Sequence, residues 1–340
     1  MRKKIFNALQ YAFFLGLGLF LLWLSAGNLS EENKRFLKLS LQNAEYGAIA
    51  LPMLILLLSH YIRALRWKVL IKPLGYAPRT VNTFFATMLG YFFNLMVPRL
   101  GEVMKCTILA KHEKIPADKL IGTMVTERAC DFICLILVFF ITIFIQFERI
   151  HSYASGRVHT LFYDNGGFKI TRLSITLGVL VIIALLLRWV FRKYAASKWT
   201  QKILQLLKGI WAGISSIRHL KNKWMFLAQT TAIWSLYILS AKAGLLTMEA
   251  VSHLGFDACF SIISFGSLAM IATQGGIGAY QLTIQKLLPI YGIAEGPALA
   301  FGWILWIAQT GIVIFAGIIC LILLPVINRS KHEISTAHSA

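Results

Sequence analysis

Charge is what this 340-residue chain has least of: Asp, Glu, Lys and Arg together make up 14% of it, and only 14 residues are acidic. With 57% hydrophobic residues and a mean hydropathy of +0.68, too little polar surface remains to keep a folded domain in water. A soluble class is excluded, and the chain reads as an all-α polytopic membrane protein. Cysteine is scarce too. Its five copies (Cys106, Cys130, Cys134, Cys259 and Cys320) lie mostly inside apolar runs with no ligand-like partner histidines. They read as small core residues, and neither a disulfide nor a metal is expected. No catalytic triad, zinc spacing or phosphate-loop sequence occurs, so no cofactor is expected. Basic residues do not interleave with aromatics on a polar strand or loop, which removes nucleic acid as a partner. The formal charge of +20 then speaks for topology and for contact with anionic lipid headgroups.

What is present is a series of apolar runs. Arg2, Lys3 and Lys4 precede the run 8–26, which is longer than a signal-peptide core and lacks a small-residue cleavage site, so it reads as an uncleaved first span. A polar loop is expected through Glu45. A second span covers 47–61 and ends in Arg63, Arg66, Trp67 and Lys68, which read as a basic and aromatic collar at the interface. Further spans are expected at 129–147, 173–190, 226–247 and 298–324. The stretch 198–223 sets Trp199, Ile203, Leu206, Leu207, Ile210 and Trp211 against lysines, the pattern of an amphipathic helix lying in the interface. Residues 326–340 read as a disordered cytoplasmic tail.

Two runs are shorter and broken. The run 83–97 leads into Asn94-Leu-Met-Val-Pro98-Arg99-Leu-Gly101-Glu102-Val-Met-Lys105, and the run 259–272 leads into Gln274-Gly275-Gly276-Ile-Gly278-Ala-Tyr-Gln281. Pro98 removes a backbone donor and biases Val97 out of the helical region, and Gly101 tolerates a bend. Irregular backbone at membrane depth survives only where protein buries it or where it lines a wet cavity. The alternative for the first stretch is a tight cytoplasmic turn with solvated charges.

Charge counting decides how these runs lie. If both cross the bilayer, the eight Lys/Arg of 192–223 fall outside the cell, against the positive-inside bias. If each run enters, turns and leaves on the same side, both termini are cytoplasmic and cytoplasmic segments hold 23 Lys/Arg against 8 outside. The chain then has about six transmembrane helices plus two re-entrant helical hairpins. It repeats itself, with span, short run, hinge, short helix and span over 47–147 and again, inverted, over 226–324. Inverted repeats with broken helices are a recurring design of secondary transporters, whose substrate site lies at the midplane between them.

The hinges suggest the chemistry. A helix starting at Gly101 or near Gly278 aims unpaired N–H groups and a positive dipole end into the membrane. Gly275, Gly276 and Gly278 would allow close backbone approach to an anion there. Arg99 and Lys105 add charge, and the guanidinium fork suits a phosphate. Glu127 and Asp131, four apart, face one way on a helix and need a cation between them or a shared proton; Arg99, Lys105 or Arg128 could supply it. A solvated helix entrance is the alternative for that pair.

These residues carry a resemblance. Asn94-x3-Pro98-Arg99-x-Gly101-Glu102-x2-Lys105, Glu127-Arg128-x2-Asp131, Gly275-Gly276-Ile277-Gly278 and Arg63-x2-Arg66-Trp67 resemble the flippase-like membrane family of the lysylphosphatidylglycerol synthase transmembrane domain, once grouped as UPF0104. The likeness covers about residues 5–325, which implies one integral domain of that extent in a prokaryotic plasma membrane. In bifunctional relatives this domain is taken to move aminoacylated phosphatidylglycerol between leaflets, while a soluble domain, not expected here, transfers the aminoacyl group. Gln274 stands where the family usually has proline, and Gln281 where it often has glutamate.

The resulting expectation is a lipid translocase for an anionic or aminoacylated phospholipid, or a polyprenyl-phosphate-linked lipid, with membrane lipids as its partners. Arg99, Lys105, Gly101, Gly275, Gly276 and Gly278 would bind the phosphate. Asn94, Pro98, Glu102, Glu127, Arg128 and Asp131 would gate or couple. An intramembrane enzyme or accessory subunit acting on a lipid headgroup is the competing class, with Glu102 and Asp131 as acid and base; a scaffold docking partners through 198–223 is the third. Single-cysteine labelling of intact cells checks the topology. Positions in 198–223 and 111–119 should react only from the cytoplasmic side and positions in 249–256 only from outside, whereas outside labelling of 198–223 contradicts the hairpins.

Overall fold

The computed structural model describes residues 16–25, 27, 29–97, 99–146, 163–164, 167–168, 220 and 222–337. Helix α1 is Gly16–Ser25 and α2 is Glu31–Gln42. A 3₁₀ turn leads into α3, Ala50–Ile71, followed by α4, Thr80–Met96, α5, Leu100–Glu113, and α6, Ala117–Ile145. After a two-residue antiparallel pair (β1, Tyr163–Asp164; β2, Gly167–Phe168) come α7, Lys223–Leu245, and α8, Glu249–Ser252. The last helices are α9, Phe256–Ala272, α10, Ala279–Leu287, and α11, Glu295–Ala337. The stretches Tyr46–Leu74, Ala117–Ile145 and Glu295–Asn328 are long and apolar enough to cross a membrane. The protein is an α-helical integral membrane protein.

Two helical hairpins organise the bundle. In the first, α4 stops where Val97 turns extended (φ −139°, ψ 130°), the conformation favoured ahead of a proline. Arg99 then takes a left-handed conformation (φ 65°) and α5 runs back along α4. The return is close because glycine faces glycine: a Cβ on Gly101 would collide with the Gly90 carbonyl oxygen and with Asn94. In the second, Thr273 is extended and a short 3₁₀ turn with Gly275 at φ 60° reverses the chain into α10.

The hairpin bases lie at opposite ends of the bundle. At the first base, Asn82 Nδ2 donates to Glu113 (2.5 Å) and to Asn328 near the end of α11 (3.1 Å). At the second, Gln146 Nε2 at the end of α6 donates to the Asp257 carbonyl (3.0 Å), and Lys286 pairs with Glu295 at the start of α11 (2.6 Å). The tips meet inside. Gln274 Nε2 donates to the carbonyl oxygens of Asn94 (2.7 Å) and Leu95 (3.2 Å), the groups that α4 leaves unpaired at its C-terminal end.

Several expectations need correction. The polar loop before Glu45 contains helix α2, capped by the Ser30 hydroxyl with Glu31 and Glu32 in its first turn, where they complement the helix dipole. Its Asn33 accepts from the Gly296 N–H, so it caps α11 as well (3.2 Å). Helix α3 runs ten residues past the expected end of its span at 61, and Arg63, Arg66 and Trp67 are 4%, 0% and 0% exposed. They are not an interfacial collar, because carboxylates on α6 draw them inward. Helix α6 begins at Ala117 instead of 129, since its first turns pack between α3 and α5. Helix α11 continues through Pro325, and Asn328 is held by Asn82, which carries the helix past the proline. The expected span 173–190, residues 198–219 of the interfacial helix, residues 8–15 of the first span and Pro98 lie outside the described residues.

Candidate functional site

An ion network joins four helices. Glu127 on α6, 1% exposed, receives Lys105 Nζ from α5 on one oxygen (2.8 Å) and Arg63 and Arg66 from α3 on the other (3.2 and 3.7 Å). Asp131, one turn further along α6, receives Arg66 Nη2 on Oδ1 (2.7 Å) and Arg63 Nη1 on Oδ2. Helix α7 completes the shell: Tyr237 Oη accepts from Arg63 Nη2 (2.8 Å) and Thr230 Oγ1 from Arg66 Nη1 (3.2 Å). Lys105 stands over the Trp67 ring (4.1 Å to its centre), and the Arg66 guanidinium over Phe226 (5.6 Å). The i,i+3 arginines on α3 and the i,i+4 carboxylates on α6 each share one helix face, so two helices can meet charge to charge.

Beside this network lies a cavity of about 1200 Å³ into which both hinges open. Arg63, Asp131, Tyr91 and Tyr237 form one part of its wall; Asn94, Leu95, Arg99, Thr273, Gln274 and Gly275 bring in the two tips. Leu56, Phe132, Leu135, Ile262, Ile263, Met270, Leu305 and Val313 supply an apolar stretch. The space can hold a group with a charged head and a hydrocarbon body.

The site residues anticipated from sequence fall into three groups. Arg99, Asn94, Glu102, Arg128, Asp131 and Gly275 line the cavity. Arg99 is exposed to it and makes no ion pair or hydrogen bond among the described residues, whereas Glu102 is engaged by Arg128 Nε (3.4 Å). Lys105 and Glu127 sit behind the wall, locked to each other. The remaining glycines serve the backbone. Gly101 donates its N–H to Asn94 Oδ1 (2.8 Å), and Gly278 donates to Gln281 Oε1 (2.9 Å), so both helix starts are capped from within the protein. Gly276 packs against Met270 and Gly278 against the Gly18 carbonyl of α1. Lys105 therefore faces a carboxylate and not the cavity, and the N–H groups of Gly101 and Gly278 are each taken by a side-chain oxygen.

Sequence reasoning missed the α3 side of the cavity. His60, Arg63 and Tyr91 lie together, with the His60 and Tyr91 rings 4.6 Å apart and the Arg63 guanidinium 6.0 Å from the Tyr91 ring centre. The available signal was periodicity: His60, Arg63 and Arg66 recur every third residue within an apolar helix, a polar stripe that lipid cannot solvate.

The family model described as "Lysylphosphatidylglycerol synthase TM region" matches residues 8–317 of this chain. A 92-residue segment is 35% identical to the UPF0104 membrane protein MJ1595 of Methanocaldococcus jannaschii, a match covering 26% of this chain and 27% of that protein. No solved structure matches.

The network holds three cations on two carboxylates, so the cost of breaking it depends on which member leaves. Glu127→Ala strands three cations on one carboxylate and should lower stability by about 3–5 kcal/mol. Lys105→Ala leaves two against two and should cost clearly less. Arg99→Ala should stay within about 0.5 kcal/mol of the parent. Thermal unfolding of the three purified variants in one detergent reads this order, and a Lys105→Ala loss equal to that of Glu127→Ala contradicts it.

Proposed function

The chain belongs to the lysylphosphatidylglycerol synthase TM-region family, and from that premise we propose that it moves a phospholipid or other phosphate-bearing lipid between the leaflets of a prokaryotic plasma membrane. The observation that carries this reading is the meeting of two broken hairpins, from opposite ends of the bundle, at one cavity with a charged wall and an apolar wall. In the bilayer the hairpins α4–α5 and α9–α10 are re-entrant, from the cytoplasmic and outer sides respectively. Of the six spans that this reading assigns, α3, α6, α7 and α11 pack around them, and the apolar runs 8–26 and 173–190 are assigned from the sequence. Both termini are cytoplasmic, and residues 1–325 act as one domain with inverted halves at 47–147 and 226–324. This placement turns the irregular backbone of each hinge toward a cavity, the arrangement that a hydrocarbon core tolerates.

Each set of residues then has a role. Arg99 takes the headgroup phosphate, and the acyl chains follow the apolar wall. The amide of Gln274 on the Asn94 and Leu95 carbonyls is the gate between the halves, with Gly275 allowing the close approach that the gate needs. Glu102 with Arg128 lies next to Arg99 and couples its position to α6. Glu127, Asp131, Arg63, Arg66 and Lys105 form the fixed wall against which the hairpins move. The carboxylates available for acid–base chemistry are held by guanidinium groups, which favours carrying a lipid over transforming it.

Purified protein in liposomes containing a headgroup-tagged phosphatidylglycerol tests the proposal. The rate at which tagged lipid becomes accessible to a membrane-impermeant quencher should rise well above that of protein-free liposomes. Mass spectrometry of the recovered lipid should show it chemically unchanged. No acceleration contradicts transport, and a modified headgroup supports the enzyme class in its place.

A further inference from the structure

The charges of the cavity wall do not balance, and neither do its hydrogen-bonding groups. The lining itself carries three cations (Arg63, Arg99 and Arg128) against two carboxylates (Glu102 and Asp131), and behind it Arg66 and Lys105 face Glu127. Every one of those carboxylates is engaged by at least one cation: Asp131 on both oxygens, Glu127 on both, and Glu102 by Arg128. Asp131 and Glu102 are the acidic residues of the cavity lining, so no unpaired carboxylate in it awaits a positively charged guest.

The unmade hydrogen bonds point the same way. Among the described residues, Arg63 Nε, Trp234 Nε1, His60 Nδ1 and Thr310 Oγ1 are inaccessible to solvent and lack partners, and all four residues line this cavity. Arg63, His60 and Thr310 are each more than nine-tenths buried. A guanidinium N–H and an indole N–H can only donate, and the hydroxyl and the imidazole can also do so. Arg99 adds a guanidinium with no partner among the described residues, in a left-handed backbone conformation that non-glycine residues seldom adopt. Buried donors without acceptors are costly, and an excess of cations around one cavity favours an anionic occupant over a cationic one.

Resting on the transport reading above, we propose that the cavity selects lipids whose headgroup is net anionic, a phosphate ester with free oxygens and hydroxyls, and rejects headgroups that carry a free ammonium. The phosphate oxygens accept from Arg99, the exposed guanidinium of the lining. An aminoacyl headgroup brings its ammonium to a wall that already has an excess of cations and no free acceptor of opposite charge; desolvating that ammonium there is uncompensated.

Binding measured on the full chain in detergent, by tryptophan fluorescence with water-dispersible dioctanoyl lipids, tests this. Dioctanoyl phosphatidylglycerol and dioctanoyl phosphatidic acid should bind about tenfold or more tightly than lysyl-dioctanoyl-phosphatidylglycerol, the loss expected when a charge-assisted bond is replaced by a repulsive contact. Arg99→Ala should weaken phosphatidylglycerol binding about tenfold with an unchanged melting temperature, and Arg99→Glu should reverse the preference toward the lysylated lipid. Inorganic phosphate and glycerol 1-phosphate separate a lipid site from a free-phosphate site. Displacement of lipid only at far higher concentrations of either supports the lipid, and displacement at equal concentrations overturns it. Equal or tighter binding of the lysylated lipid overturns the selectivity while leaving transport standing. Selective binding without any transport in liposomes overturns the transport reading and leaves the anionic site. Binding of neither lipid overturns both.

Discussion

Burying a charge in an apolar bundle is affordable only in company, and here Glu127 and Asp131 decide the company. Their carboxylates draw Arg63 and Arg66 from α3 and Lys105 from α5, and those arginines in turn hold Thr230 and Tyr237 on α7. Helices that would otherwise have only weak reasons to choose one another inside a lipid phase are fixed in rotation and depth by this one cluster. A pair of this kind contributes little net stability, because desolvation offsets most of the attraction; it contributes specificity, since any other arrangement strands a charge. Two members of the network, Arg63 and Asp131, form part of the cavity wall.

The second constraint is the backbone at the hinges. A broken helix leaves carbonyl and N–H groups that lipid cannot satisfy. In this protein each hinge is repaired with a side-chain amide or a tryptophan. Asn94 Oδ1 takes the Gly101 N–H, Gln281 takes the Gly278 N–H, Gln274 binds the carbonyls of Asn94 and Leu95, and Trp306 donates to the Gly275 carbonyl (2.8 Å). The bonds from Gln274 run between the two hairpins, so repairing the backbone and closing the tips are one event. A proline at 274 would have no side-chain donor for it.

Much of this could be read from residues alone, and the failures have physical causes. The apolar runs, both hinges and the closeness of Asn94, Gly101 and Glu102 to a break follow from local chain chemistry. Of the partners of Glu127 and Asp131, Lys105 was among the candidate cations and does pair with Glu127, whereas Arg63 and Arg66 were not: the i,i+4 spacing fixes which way the carboxylates face but says nothing about which helix lies opposite. Arg63 and Arg66 looked interfacial because a basic cluster after an apolar run ordinarily snorkels; what holds them inside is a carboxylate pair more than sixty positions away. Lys105 was assigned to phosphate for the same reason, its carboxylate being on another helix. The glycines at 101 and 278 were read as anion cradles, and in the structure they also pack closely against Gly90 and Gly18; glycine serves both purposes with the same sequence signature.

The central claim is that the two hinge tips part and meet as the lipid passes. Leu95→Cys with Gln274→Cys, in a background where the native cysteines are replaced, places one thiol on each tip. A short, cleavable thiol cross-linker should abolish lipid movement in liposomes, and cleaving the linker should restore it, while the two single variants are unaffected by the reagent. Undiminished transport with the tips quantitatively cross-linked would contradict the account.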